Sequence, residues 1–347
     1  MKHLEDADRL IAHHTGSGEI AAAVLLVRRV DGTRHGQETF EFCRAYGKAQ
    51  THTPFLLGSP SKPITASAVL LLRDRKQLEL SDTVSRFLPQ FKGDGRERVT
   101  IRHLLTHTSG LPDMLPENAE LRARHAPLTE FVECTCRTPL LFEPGAKVSY
   151  QSMGILLAAA IVEKITALPL PAFLKENIFD PLRMNQTSLG LGGRKISDMA
   201  QCQVDQPTDW DWNSDYWRNT AAPWGGAHST AGDLAAFIER FAAEETSPWN
   251  GQTARDMRTL QTAGLNEAWG LGWMLQGDST ALGTGGSFGK SCSPATFGHY
   301  GTPGTIVWHD PESRLTCVLL TTKPATSSRS HVLGPVSDLV AQSAAEA

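Results

Sequence analysis

The sequence predicts an α+β fold in which both ends of the chain build one antiparallel sheet and the middle supplies a mainly helical domain. Three observations carry this. Strand-like runs gather at the ends, in Ile20 to Val30 and Glu38 to Tyr46, and again in Leu271 to Leu275, Thr305 to Trp308 and Leu315 to Thr322. Between about residues 80 and 224 the apolar spacing is helical and is broken by loops bearing proline and glycine. Two more helical patterns, residues 2 to 15 and Ser330 to Ala344, stand outside the strands, where they would flank the sheet. Residues 1–79 and 225–347 are therefore expected to form a discontinuous sheet domain and residues 80–224 a helical one.

In the first helix Leu4, Leu10 and Ile11 share a side. The turn signal Asp31-Gly32 makes the next two runs a hairpin. From Pro60 to Arg75, Ile64, Ala68, Leu71 and Leu72 recur at three and four residues, and two prolines fall where a first turn tolerates them. That helix should start at Ser59 or Pro60. Ile101 to Thr106, Pro127 to Cys136, Gln151 to Lys164 and Leu170 to Ile178 read as the middle helices, and Thr230 to Ala243 as a further one before the last strands.

Composition narrows the function classes. The 347 residues carry 33 Lys plus Arg against 37 Asp plus Glu, a net charge of −4, so nothing invites nucleic acid or an anionic membrane. The first residues are too charged for a secretion signal, and the apolar run Ile20 to Val27 is far too short to span a bilayer, so a cytoplasmic protein without a membrane partner is expected. Six scattered cysteines without C-x-x-C spacing read as reduced, packed thiols. Two metal candidates, Cys134 with Cys136 and His103 with His107, lack the companion ligands of a zinc site. No metal and no cofactor are expected.

The chemistry-bearing segment is Ser59-Pro60-Ser61-Lys62, an S-x-x-K placed where an extended segment runs into a helix. Residues three apart share a helix face, so the lysine amine can approach the serine hydroxyl, while the unpaired N–H groups of the helix start favour developing negative charge. An ordinary helix-capping serine followed by an exposed lysine would spell the same letters. So does Ser287-Phe288-Gly289-Lys290, which sits in a glycine-rich stretch with no helical pattern after it and reads as a loop.

Further segments decide between these readings. They are Phe55 to Ala66, Gln77 to Asp82 with Phe87-Leu88-Pro89, Thr100 to Leu111, Glu143 to Gly154, Gly225 to Thr230, Trp269 to Trp273 and Phe297 to Thr302. In this order and spacing the chain resembles, over nearly its whole length, the serine β-lactamase and penicillin-binding-protein-like hydrolases. It is most similar to the branch of class C β-lactamases, family VIII carboxylesterases and D-aminopeptidases. The resemblance implies a β-lactamase/DD-peptidase-like fold. It also implies Ser59 as acylated nucleophile, Lys62 and Tyr150 sharing the base and acid work, and the N–H groups of Ser59 and Thr302 as oxyanion hole. His299-Tyr300-Gly301 would stand for the Lys-Thr-Gly strand motif and touch substrate. A lysine acting as base near pH 7 needs its pKa lowered by roughly three units, through burial or cationic neighbours. A tyrosine needs cationic neighbours above all, because burial alone raises its pKa.

Two departures bear on the substrate. Tyr150-Gln151-Ser152 replaces the Tyr-x-Asn of β-lactamases, and Ser152 offers less reach and no two-sided amide. His299 replaces the strand lysine, removing a permanent cation, and with an ordinary pKa near 6.5 is expected to bring a switchable charge instead. Trp210, Trp212, Tyr216, Trp217 and Trp224 crowd the stretch before Gly225, where Trp224 is expected to line the acyl pocket or else to pack between domains. The resulting expectation is a serine hydrolase that cleaves a small ester through a Ser59 acyl-enzyme. Its rivals of the same fold are a D-amino-acid amidase or peptidase, a weak β-lactamase and an acyltransferase. Outside the class stands a non-catalytic penicillin-binding-like protein.

Overall fold

The computed structural model describes residues 2–30, 39–243, 246–277 and 287–344. The expected Asp31-Gly32 turn lies outside these residues. Strands β1 (Ala22–Val30) and β2 (Thr39–Gly47) pair antiparallel, with Ala22 opposite Gly47. The short strands β3 (Phe55–Leu56), β4 (Ser188–Leu189) and β5 (Ala227–Ser229) follow. The last four are β6 (Met274–Leu275), β7 (Phe297–Gly301), β8 (Thr305–Asp310) and β9 (Leu315–Thr321). The main sheet has six strands in the order β2-β1-β9-β8-β7-β6, so the first hairpin joins the last strands through the β1–β9 pair. This is the mixed helix and antiparallel-sheet architecture that the distribution of strand-like runs predicts.

Why β1 sits inside the sheet follows from its residues. Ala22, Val24 and Leu26 face one core, and Ala23, Leu25 and Val27 face the other. A strand apolar on both faces must be covered on both. On one side helix α1 (Lys2–Gly16) packs against a C-terminal helix that runs from Gly334 to Ser343. On the other, helix α2 (Ser61–Asp74) packs on α3 (Met153–Thr166), and α4 (Ala231–Glu239) on β1, β8 and β9. The C-terminal helix, α5, is entered through a π-helical turn over Arg329–Leu333. Among the described residues no single helix is long and apolar enough to cross a membrane.

The structure corrects several expected boundaries. Helix α2 begins at Ser61 with Pro60 as its N-cap, so Ser59 stands just before the helix rather than capping it. The run Leu271 to Leu275 shrinks to β6 because Gly272 turns with φ +93° against α2, where a Cβ would stand 2.5 Å from that of Ala66. The Phe297 to Thr302 segment forms strand β7 over Phe297–Gly301, with Thr302 just beyond its end. The small sheet β3-β5-β4 has no counterpart in the sequence reading, since two- and three-residue strands carry no period to detect. It matters here because Leu57 and Ala227, at its end, hold the chain that leads to Ser59.

Candidate active site

Ser59 is placed by contacts made on both sides of it. Leu57 N–H donates to Ala227 O at 2.8 Å, and Thr305 Oγ1 donates to Leu57 O at 2.6 Å. Gly58 then turns with φ +65°, and a Cβ there would lie 2.4 Å from Pro303 Cδ. Across the gap, a Cβ on Gly301 would stand 2.0 Å from Leu57 O. Only glycine at these two positions lets β7 press against the serine segment. The turn closes as Ser61 N–H and Oγ both donate to Gly58 O, at 2.9 and 2.6 Å. Half-buried Ser59 is left at the positive end of α2. Thr302 is exposed at the end of β7, and neither its N–H nor that of Ser59 is engaged by an acceptor among the described residues.

Lys62, the second residue of α2, is 1% exposed. Its Nζ donates to Ser59 Oγ at 3.2 Å and to the carbonyl of Trp224 at 3.2 Å, and lies 4.5 Å from the centre of the Tyr150 ring. Burial without a carboxylate partner of its own lowers the ammonium pKa to about 7, against the opposing pull of Asp113. Tyr150 moves the other way. Burial holds its phenol well above the ordinary value, and the hydrogen bond with Ser59 opposes this only in part. The amine is thus poised between its two forms at neutral pH, while the phenol keeps its proton.

Two histidines wedge the Tyr150 ring. His107 is fully buried with φ +58°, its ring centre 4.8 Å from that of Tyr150 and 4.3 Å, edge-on, from that of Trp269. Its Nδ1 accepts from Gln151 N–H at 3.2 Å, so its proton sits on Nε2, which has no partner. His299 lies 6.0 Å from Tyr150, with Nδ1 2.8 Å from Tyr300 O and an unpartnered Nε2. Burial first, and Lys62 second, push the His299 pKa down to about 3. The expected switchable charge is therefore absent in the usable pH range, because the ring is enclosed rather than facing solvent.

The remaining expected site residues are placed as follows. Ser152 is 1% exposed and donates its Oγ to Asp113 Oδ1 at 2.6 Å, so its hydroxyl is committed to a neighbour. Tyr300 is half-buried, and Arg329 Nη1 donates to its hydroxyl at 3.2 Å with the guanidinium 4.3 Å from the ring centre. Together with Phe288, Leu333 and Asp338 they line a cavity of about 530 Å³. Trp224 meets Lys62 through its carbonyl, while its indole is 3% exposed and packs near Phe131 and Trp217. Sequence reasoning missed Asp113, whose signal was its place two residues beyond the Thr100 to Leu111 segment. It missed as well the part of His107 behind Tyr150.

The two metal candidates fall on local grounds. His103 Nδ1 accepts from Thr100 N–H at 3.2 Å in a capping box, and His107 Nδ1 accepts from Gln151 N–H. Cys134 and Cys136 stand two apart on the helix Leu128–Arg137 and so point to different sides.

The mixed helix and antiparallel-sheet architecture, with a serine set just before a helix, is that of a hydrolase of the serine β-lactamase and penicillin-binding-protein fold. The chain belongs to the Beta-lactamase family, whose model matches residues 7–341. It is 27% identical to a D-alanyl-D-alanine carboxypeptidase-like protein of Escherichia coli K12, over 93% of this chain and 83% of that one. Its fold matches EstCE1, described as a hydrolase with promiscuous acyltransferase activity, with a TM-score of 0.78 at 21% identity, covering 98% of this chain and 99% of that one. It also matches a family VIII carboxylesterase, with a TM-score of 0.76 at 18% identity, covering 100% and 98%.

Proposed function

We propose that the protein is a carboxylesterase that cleaves small, uncharged or cationic esters through a Ser59 acyl-enzyme. The observation that carries the reading is a buried lysine with a pKa of about 7 whose Nζ stands 3.2 Å from the serine hydroxyl. Neutral Lys62 takes the Ser59 proton as Oγ attacks the ester carbonyl. The N–H groups of Ser59 and Thr302 receive the oxyanion, helped by the start of α2. The leaving alkoxide takes its proton from Tyr150, which is reprotonated by the Lys62 ammonium beneath its ring. Water then repeats the sequence on the acyl-enzyme, and an alcohol in its place would give acyl transfer.

Charge argues for esters over β-lactams and D-peptides. Both of those carry a carboxylate, and the position that would meet it holds His299, uncharged above about pH 3. Asp113 adds a negative charge beside Ser152 and disfavours anions further. An ester also needs less leaving-group protonation than an amide, so a site short of an amide donor and a fixed cation loses amide turnover first. We further place the protein in the cytoplasm, a reading supported by six unpaired cysteines.

The test is a comparison on one preparation. For a short-chain p-nitrophenyl ester, kcat/KM should exceed that for a chromogenic cephalosporin by at least about 10², or roughly 2.7 kcal/mol of transition-state discrimination. Comparable efficiencies would return β-lactam or D-peptide hydrolysis to first place. A chain that neither turns over the ester nor takes up a fluorophosphonate would be a binder and not an enzyme.

A further inference from the structure

Two residues beyond Arg329, and so on the opposite side of that π-helical turn, His331 reaches toward the N-terminal helix. There Glu19 bridges two imidazoles, with His14 Nδ1 2.6 Å from Oε2 and His331 Nε2 2.6 Å from Oε1. One ligand atom from each of the three residues falls within 4.8 Å of the others. His14 and Glu19 are part-buried, at 14% and 32% exposure, and His331 is more open at 42%.

The scaffold under the cluster is fixed. His14 lies in the last turn of α1, where its carbonyl accepts from Ile20 N–H at 3.0 Å. The amide of Gln203 clamps the chain at Glu19, donating to Glu19 O at 2.9 Å and accepting from Ala21 N–H at 3.0 Å. The third residue arrives from the far end of the sequence on a π-helical turn, a geometry frequent at functional sites. Two imidazoles and one carboxylate suit a borderline divalent ion. Bonds of about 2.0–2.1 Å in a tetrahedral site put ligand atoms roughly 3.3 Å apart, so the two 2.6 Å contacts would open slightly and the widest pair, within 4.8 Å, would close by at most about 1.5 Å. Each histidine would present the lone pair of the nitrogen now directed at Glu19, so the ion competes with protons for these positions.

We propose that His14, Glu19 and His331 form a clip for one divalent transition-metal ion of the zinc class. It is held through His14 Nδ1, a Glu19 oxygen and His331 Nε2, with solvent completing the shell. The ion would tie α1 to the turn that enters α5. It has no part in the Ser59 chemistry and does not depend on the esterase reading.

The test uses the full chain stripped with EDTA. Zinc chloride at about 100 μM should raise Tm by several degrees. Equilibrium dialysis should retain one zinc per chain, and cobalt(II) should give visible absorption of a four- or five-coordinate ion. Glu19→Gln keeps a hydrogen-bonding side chain in place but is a poor ligand, and it should lose the Tm shift and the bound zinc, as should His331→Ala. A Cys134→Ser/Cys136→Ser double variant should keep both. Wild-type protein that retains no zinc, or a Tm shift and stoichiometry that survive in Glu19→Gln, would overturn the proposal and leave the cluster a carboxylate shared by two histidines.

Discussion

The chain spells S-x-x-K twice, and the two copies differ in almost everything except their letters. Ser59 and Lys62 stand at the start of a 14-residue helix, with the lysine 1% exposed and its amine on the serine oxygen. Ser287 and Lys290 lie in a loop with no helix after them, and Lys290 is exposed, its backbone N–H held by Asp338. A four-letter motif thus carries no chemistry of its own. What turns an amine into a base is the removal of water from around it and a helix that fixes its distance to the hydroxyl.

The sharpest way to break this contrast is to remove each serine. Ser59→Ala should abolish fluorophosphonate labelling, read by intact mass, and lower ester hydrolysis by on the order of 10⁴ or more. Ser287→Ala should change either by less than about tenfold. Labelling that persists in the first variant and vanishes in the second would invert the assignment. Next in size are the proposed proton carriers. Lys62→Ala and Tyr150→Phe should each cost about 10² to 10⁴ in kcat, with the double variant little worse than either, because groups that act as a unit are not additive. Lys290→Ala should stay within about tenfold of the wild type. Losses at Lys62 and Tyr150 that multiply would show two independent roles.

The smallest expected effect is on pH dependence. The base must be neutral, so kcat/KM for an uncharged ester should rise with pH through an apparent pKa of about 7, the value burial gives Lys62. Asp113 pulls that pKa upward, and Asp113→Asn should therefore move the limb to lower pH, measured in a series of buffers at constant ionic strength. A limb that moves upward, or stays where it was, would remove Asp113 from the electrostatics of the site.

The sheet and its flanking helices were legible in the sequence because their signals are long. The run Ala22 to Val27 is apolar on both faces, and the α2 periodicity spans four turns. The candidate site was legible as letters in order, in that Ser59, Lys62, Tyr150 and His299 come together in the fold. Their electrostatic state was not, since it depends on enclosure by residues far away in sequence. His299 is the plainest case: its ordinary pKa suggested a switch, and walls that include Trp269 and Tyr150 make it a neutral spacer. Asp113 and Ser152 lie 39 positions apart, and no local pattern pairs them. Short strands such as β4 were invisible because two residues hold no period.

Lys62 also has a thermodynamic consequence for the whole molecule. Its pKa falls from 10.5 to about 7 on folding, so the unfolded chain binds a proton that the native chain releases throughout that interval. By proton linkage, native stability rises with pH from about 7 to about 10, and at or below pH 7 the full penalty remains, on the order of 4–5 kcal/mol. That is a large share of what a fold of this kind has to spare. Lys62→Met, which fills the same space without the charge, should melt at higher temperature than the wild type while losing activity. Calorimetry should find the gap wide at pH 6 and narrower at pH 9. The fold is held together in spite of this residue, and heat tolerance and turnover are opposed at a single side chain.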